Sequence, residues 1–216
     1  TVVITTSQAG LWTDSRYFLQ AAQQLKGTEI KLYKEMLPET PSISAFLSTQ
    51  LTPGDAVGID GKMFSAEEVE RMQAELQKCQ IKVKSISDPL DKLWTDRPPM
   101  PESPAFIYET QYAGKSSIEK IAIIRKELKK CNAKALFLSA LDEIAWTLNL
   151  RGNDVHCNPV LVSYLLIEEN ETHYFIQPQK ITAEVATYMK ETGVNLHTYE
   201  EAEAYLSRIS VESLLL

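Results

Sequence analysis

Four prolines fall within seven residues, at Pro98, Pro99, Pro101 and Pro104. Proline fixes φ and has no N–H to donate, so this run can continue neither a helix nor a central strand. It divides the chain. A length of 216 residues suits one large domain or two small ones at about 100–200 residues each, and the proline run favours two. The expected organisation is a first domain over 1–96, a stiff extended linker over 97–114 and a second domain over 115–216.

Strand and helix patterns alternate on both sides of the prolines, which is the mark of an α/β fold. In the first half, Val2 to Ile4 reads as a strand, joined through a turn over Ser7 to Gly10 to a second strand at Gly10 to Asp14. A helix follows from Arg16 to Leu25, with Phe18, Leu19, Ala22 and Leu25 at helical spacing. Then come a strand (Ile30 to Met36), a helix from Ser42, a strand (Ala56 to Ile59), a helix (Ser65 to Cys79) and a strand (Ile81 to Ile86). Ser65 and Glu68 form a capping-box pattern, as do Ser116 and Glu119 at the head of a helix that runs to Lys130. The second half continues with a strand (Ala135 to Ser139), a helix (Leu141 to Asn149), a polar loop (Arg151 to Pro159) and a strand (Val160 to Ile167). A hairpin partner (His173 to Ile176), a helix (Thr182 to Thr192), a strand (Val194 to Thr198) and a helix (Glu200 to Ile209) complete it.

The order strand, turn, strand, helix, strand, helix therefore occurs twice, over Val2 to Leu51 and over Val160 to Ile209. Ala45-Phe46-Leu47-Ser48 and Ala204-Tyr205-Leu206-Ser207 lie on matching helices. On this alignment the first domain lacks the opening helix-strand-helix that the second has at Ser117 to Asn149, and the second lacks the Ala56 to Ile86 segment of the first. Both domains are thus expected to be truncated, as pieces of a longer protein.

Charge and composition exclude several functions. The net charge of −7 and pI near 5.1, with no Lys/Arg cluster interleaved with aromatics, argue against nucleic acid as a partner. A bilayer span needs about 20 apolar residues, and the longest apolar run, Val160 to Ile167, is interrupted by Ser163 and Tyr164. No membrane partner is expected. Cys79, Cys131 and Cys157 are widely spaced and odd in number, which points to a reducing, cytoplasmic setting. His156 and Cys157 are adjacent, and His173 and His197 have no companion at i+3 or i+4, so no metal site is expected. Nucleophile-elbow, Walker and dinucleotide motifs are absent, and no catalytic residue is expected in this chain.

Three segments carry a family resemblance. Leu11 to Ala22, LWTDSRYFLQAA, closely resembles the WTDGRYFLQAA segment of cytosolic, three-domain aminopeptidase P. Asp91 to Pro98, DKLWTDRP, looks like that family's DKIWTDRP. The block from Ala140 through Trp146 and Asn149 to Val155, ending at Asn158-Pro159-Val160, looks like ALDEIAWLFNLRGSDV..NPV. The resemblance implies two related creatinase N-terminal-like domains of ribonuclease H-like, three-layer form with mixed sheets. It also implies a metallo-aminopeptidase that removes the residue preceding an N-terminal proline, with two manganese ions held by two Asp, one His and two Glu in a third domain. This chain is then the non-catalytic N-terminal region; the alternative is a stand-alone binding module with the same fold. The first motif departs from the family at Ser15, where glycine is usual, and that substitution is strained only if φ is positive there.

In the family the arginine matching Arg16 reaches toward bound substrate, a role suited to a guanidinium fork. The competing reading pairs Arg16 with Asp14 on the surface. Trp12 and Tyr17 flank it as a possible aromatic wall for a proline-containing peptide, although aromatics beside a strand end more often belong to the core. The loop residues Arg151, Asp154 and His156 are candidates to face the catalytic domain, against a reading in which Asp–Arg pairing and turn bonds only shape the connection. Sheet edges left open by truncation suggest swapping and a homodimer.

Overall fold

In a computed structural model, which describes residues 1–209 and 214–215, the chain packs as two units, Thr1–Arg97 and Pro98–Leu216. In the first unit, β1 (Val2–Ile4) and β2 (Ala9–Thr13) pair antiparallel, and β3 (Ile30–Lys34) lies parallel to β2 on its other side. The hairpin turn is Thr5–Gln8, closed by the Thr5 N–H to the Gln8 carbonyl at 2.8 Å, earlier than the expected Ser7–Gly10. The helix α1 is shorter than expected, Phe18–Gln24, because Asp14 caps a separate 3-10 turn at Ser15–Tyr17. It buries Ala21 while Leu19 is 89% exposed. A second helix α2 (Ile43–Gln50), a parallel pair β4 (Ala56–Ile59) and β5 (Lys82–Ser85), and the helix α3 (Ala66–Gln77) complete the unit. One apolar core joins them, built on Val3, Trp12, Phe46, Leu47, Leu76 and Ile81.

The division between the units falls after Arg97, and part of the segment read as a linker over 97–114 is built into the second unit. Ala105 is buried and its N–H donates to the Lys180 carbonyl at 2.8 Å. β6 (Phe106–Ile107) pairs with β8 (Leu150–Arg151), and a short helix α4 spans Thr110–Ala113. The four prolines prevent regular structure from Pro98 to Pro104, but they do not keep the residues after them out of the core.

The main sheet of the second unit has the order β11-β10-β9-β7-β12, formed by β7 (Ala135–Leu138), β9 (Tyr164–Glu168), β10 (Thr172–Phe175), β11 (Asn195–His197) and β12 (Leu214–Leu215). Antiparallel β9–β10 followed by parallel β10–β11 repeats the pattern of β1, β2 and β3. Helices α5 (Ser117–Lys130), α6 (Leu141–Leu148) and α7 (Ala183–Glu191) cover one face through Ile121, Ile144, Leu148, Val185 and Met189. The short α8 (Glu201–Leu206) covers part of the other, over Ala135, Leu166 and Phe175. The first unit has no counterpart of α5, β7 and α6. Accordingly Leu165 and Ile167 are fully buried, whereas Val2 and Ile4, at the matching positions, are exposed.

Both capping boxes form. Ser65 and Glu68 exchange bonds at the head of α3, and Ser116 and Glu119 do so at the head of α5. Each satisfies N–H groups that the helix itself leaves without partners. No helix among the described residues is long and apolar enough to cross a membrane.

Candidate functional site

At the C-terminal end of β2, the Asp14 carboxylate accepts the Arg16 N–H at 3.0 Å, the Nε–H at 2.9 Å and an Nη2–H at 2.9 Å. The same carboxylate thus caps the 3-10 turn and grips the guanidinium through two parallel bonds. These charge-assisted bonds hold the Asp14 carboxyl down at about 2, and the carboxylate in turn raises the Arg16 guanidinium. Arg16 keeps 78% of its side chain exposed. Two of its five side-chain N–H donors are committed to Asp14, and the rest are available to an acceptor. Tyr17 lies half exposed, with its ring 5.7 Å from the guanidinium carbon. Ser15 does not fall among the residues with positive φ, so serine here carries no backbone strain.

Trp12 has a different role. It is 2% exposed, its ring stacks on Tyr33 at 4.0 Å and 7°, and Phe46 meets it edge-on at 5.0 Å. Its Nε1–H donates to the Pro41 carbonyl at 2.9 Å. Alternation along β2 turns Trp12 toward α2, where burial and a satisfied indole favour the core reading over a ligand wall, although part of the residue still borders the groove beyond β3. Gly10 belongs to the same cluster, since a Cβ there would lie 2.6 Å from Tyr33 and 2.7 Å from Trp12.

Just beyond β3 the chain opens into a groove of about 650 Å³, lined by Met36, Pro38, Phe64, Arg71 and Met72 with an edge of Trp12. The Glu35 N–H donates to the Thr13 carbonyl at 2.9 Å, so the segment entering the groove and the segment carrying Asp14 and Arg16 leave neighbouring strands at the same end. That is where ligands bind in open α/β sheets. Met36 sits at the mouth, almost fully exposed and with φ of 68°.

The three loop candidates of the second unit separate. The Asp154 side chain is wholly buried: Oδ2 accepts from Lys180 Nζ at 2.5 Å and from the Val162 N–H at 2.6 Å. It cannot offer itself to another domain, so that expectation is corrected; the pairing that shapes the connection is Asp154–Lys180 instead of Asp–Arg. Arg151 turns inward to the carbonyls of Ala145 and Leu150 at 2.5 and 2.8 Å and lies over the Tyr108 ring at 4.7 Å. It ties the end of α6 to β8. His156 alone is exposed, beside the isolated bridge between Val155 and Asn158.

Sequence spacing missed one cluster. Glu168 and Glu171 oppose each other at the end of the β9–β10 hairpin, and His173, two residues along β10, shares their face. His173 Nε2 is 3.2 Å from a carboxylate oxygen of each glutamate, and its Nδ1 is 3.0 Å from His197 Nε2 on β11. The test for companions at i+3 and i+4 applies to helices; these residues meet through strand register. Strand period and hairpin pairing would have found the first three.

The comparisons accord with this architecture. Models of the creatinase/prolidase N-terminal domain match residues 1–93 and, separately, 96–215. Aminopeptidase P2 of Arabidopsis thaliana is 36% identical over 203 residues, covering 93% of this chain and 28% of that protein. The Xaa-Pro aminopeptidase ApepP of Drosophila melanogaster is 37% identical over 198 residues, covering 91% and 32%. The crystal structure of X-prolyl aminopeptidase from Caenorhabditis elegans, described as a cytosolic enzyme with a di-nuclear active site, superposes with a TM-score of 0.90 at 31% identity, over 95% of this chain and 34% of that one. The chain thus spans about a third of the length of these relatives. It belongs to the creatinase/prolidase N-terminal domain family and carries two such domains in tandem.

Proposed function

We infer that this chain is the non-catalytic N-terminal region of a cytoplasmic, metal-dependent Xaa-Pro aminopeptidase, in which Arg16 helps position a proline-containing peptide. The observation that carries the reading is Arg16 itself: held bidentately by Asp14 at the sheet end that opens onto the groove, yet with most of its donors free. Among the described residues, the one group of at least three His, Cys, Asp or Glu within metal reach is Glu168, Glu171 and His173. It lacks the two aspartates of the family's manganese-binding set, so the two-metal centre does not fit these residues and belongs to the remaining two thirds of the enzyme.

The test is hydrolysis of an Xaa-Pro-Yaa peptide with added Mn²⁺, by the 216-residue chain and by a protein spanning the full length of the relatives. Turnover by the longer protein alone supports the reading; turnover by this chain would sink it.

A further inference from the structure

We propose that the β9–β10 hairpin binds a divalent transition-metal ion of the zinc class through Glu168, Glu171 and His173, with His197 orienting the imidazole from behind.

Three observations carry this. First, the ligand atoms of Glu168, Glu171 and His173 all lie within 4.8 Å of one another, and Nε2 is 3.2 Å from each carboxylate. Around a tetrahedral zinc with bonds of about 2.0–2.1 Å, neighbouring ligand atoms stand about 3.3–3.4 Å apart. The Nε2–carboxylate edges therefore match the ion closely, and an imidazole with two carboxylates is a donor set that zinc accepts.

Second, the rear nitrogen is occupied. A metal-bound histidine donates its other ring N–H to a fixed acceptor, which sets the tautomer, and His197 Nε2, 3.0 Å from His173 Nδ1, stands where that acceptor would be. His197 is itself fixed by stacking on Phe175 at 5.0 Å and by the edge of Tyr205. Donation in this direction leaves a lone pair on Nε2 aimed at two carboxylates, with the Tyr205 hydroxyl 3.3 Å away. Among the described residues no Lys or Arg forms an ion pair with either carboxylate: Lys129 pairs with Glu169, and Arg125 bonds the Glu168 carbonyl and the Thr172 hydroxyl. Like charges directly opposite in a hairpin are destabilising, and a cation would reverse that.

Third, the fold does not require these residues. In the repeat of the first unit, the register places Gly10 at the position of His173 and Tyr33 at that of His197. Thr5 and Gln8 close the first hairpin as Glu168 and Glu171 close the second, each through an N–H to carbonyl bond of 2.8 or 2.9 Å. One hairpin frame is thus built with neutral residues and again with two acids and two imidazoles.

The metal-free alternative is the opposite tautomer, with His197 donating to Nδ1 and His173 Nε2–H donating to the carboxylates. Titrating the 216-residue chain with Zn²⁺ against a chromophoric chelator separates the two. One equivalent should bind, and Co²⁺ in its place should give visible d–d absorption of tetrahedral strength. Glu171→Gln, at an exposed position, should weaken Zn²⁺ binding at least 10-fold, and His197→Phe, which keeps the stack and loses the bond, about 10–100-fold. Cys157→Ser should leave it unchanged. The proposal is overturned if the wild-type chain takes up no equivalent of Zn²⁺, if Glu171→Gln binds as the wild type does, or if only the cysteine variant loses binding.

Discussion

Gly10 and His173 occupy the same position in two copies of one hairpin, each two residues before an aromatic ring that stacks across parallel strands: Trp12 on Tyr33, and Phe175 on His197. A helix then presents an aromatic edge to each stack, Phe46 from α2 and Tyr205 from α8. The indole and phenol of the first stack leave no volume for a side chain at position 10, whereas the smaller His197 leaves room for one at position 173.

That difference predicts the effect of Gly10→Ala. A Cβ 2.6 Å from Tyr33 and 2.7 Å from Trp12 must move two stacked rings, so overpacking should cost about 1–3 kcal/mol. Urea unfolding of the first unit's transition measures it. A variant as stable as the wild type would show that the stack gives way easily.

The buried Asp154–Lys180 pair makes a second prediction. With both side chains fully enclosed, Lys180→Met strands a carboxylate whose Oδ1 already lacks a hydrogen-bond partner, and should cost about 3–5 kcal/mol. Adding Asp154→Leu should recover part of the loss, since an apolar pair needs no desolvated charge, although the Val162 N–H then loses its acceptor. Chemical unfolding of both single variants and the double variant gives the coupling. Additive losses would mean that the two charges act independently.

How much of this was legible in the sequence depends on the range of each interaction. The capping boxes of Ser65 and Ser116 and the Asp14–Arg16 contact lie within four residues, and side-chain chemistry alone exposes them. Asp154 and Lys180 are 26 residues apart and meet only because β6, β8 and the turn at Pro178–Lys180 fold around them. His173 and His197 meet by parallel register, which no local spacing encodes. Trp12 was ambiguous for another reason. Its motif sets an aromatic four residues before Arg16, and only the fold shows that Trp12 alternates inward on β2 while Arg16 lies exposed on the 3-10 turn beyond it.

The Asp14–Arg16 contact predicts a pH dependence. The Asp14 carboxyl is lowered to about 2 in the folded chain, first by the Arg16 side chain and then by the Arg16 N–H. An unfolded aspartate titrates near ~3.9. A group depressed on folding contributes stability that is fully present above the unfolded value and lost as pH falls through the folded one, so the pair weakens from about pH 4 down to about 2. Following the Asp14 carboxyl carbon by NMR should give a midpoint near 2 in the wild type. In Arg16→Gln it should move up toward the ordinary carboxylate range, short of it because the backbone N–H remains. A wild-type midpoint near 3.9 would show that the pair does not persist in solution.

The proposed role of Arg16 in positioning a peptide is tested by separating its charge from its geometry in a protein spanning the relatives' full length. Arg16→Ala removes both and should lower kcat/KM for an Xaa-Pro-Yaa peptide about 10–100-fold, the scale of one charge-assisted hydrogen bond. Arg16→Lys keeps the charge but cannot present a planar fork to Asp14 and to a peptide acceptor together, so it should recover little. Asp14→Asn keeps the arginine and loosens its aim; its loss should be smaller and fall mainly on KM. Since the side chain is 78% exposed, none of the three variants should unfold the first unit, and circular dichroism checks this. Equal kcat/KM in Arg16→Ala and wild type would assign the Asp14–Arg16 pair to capping the 3-10 turn alone.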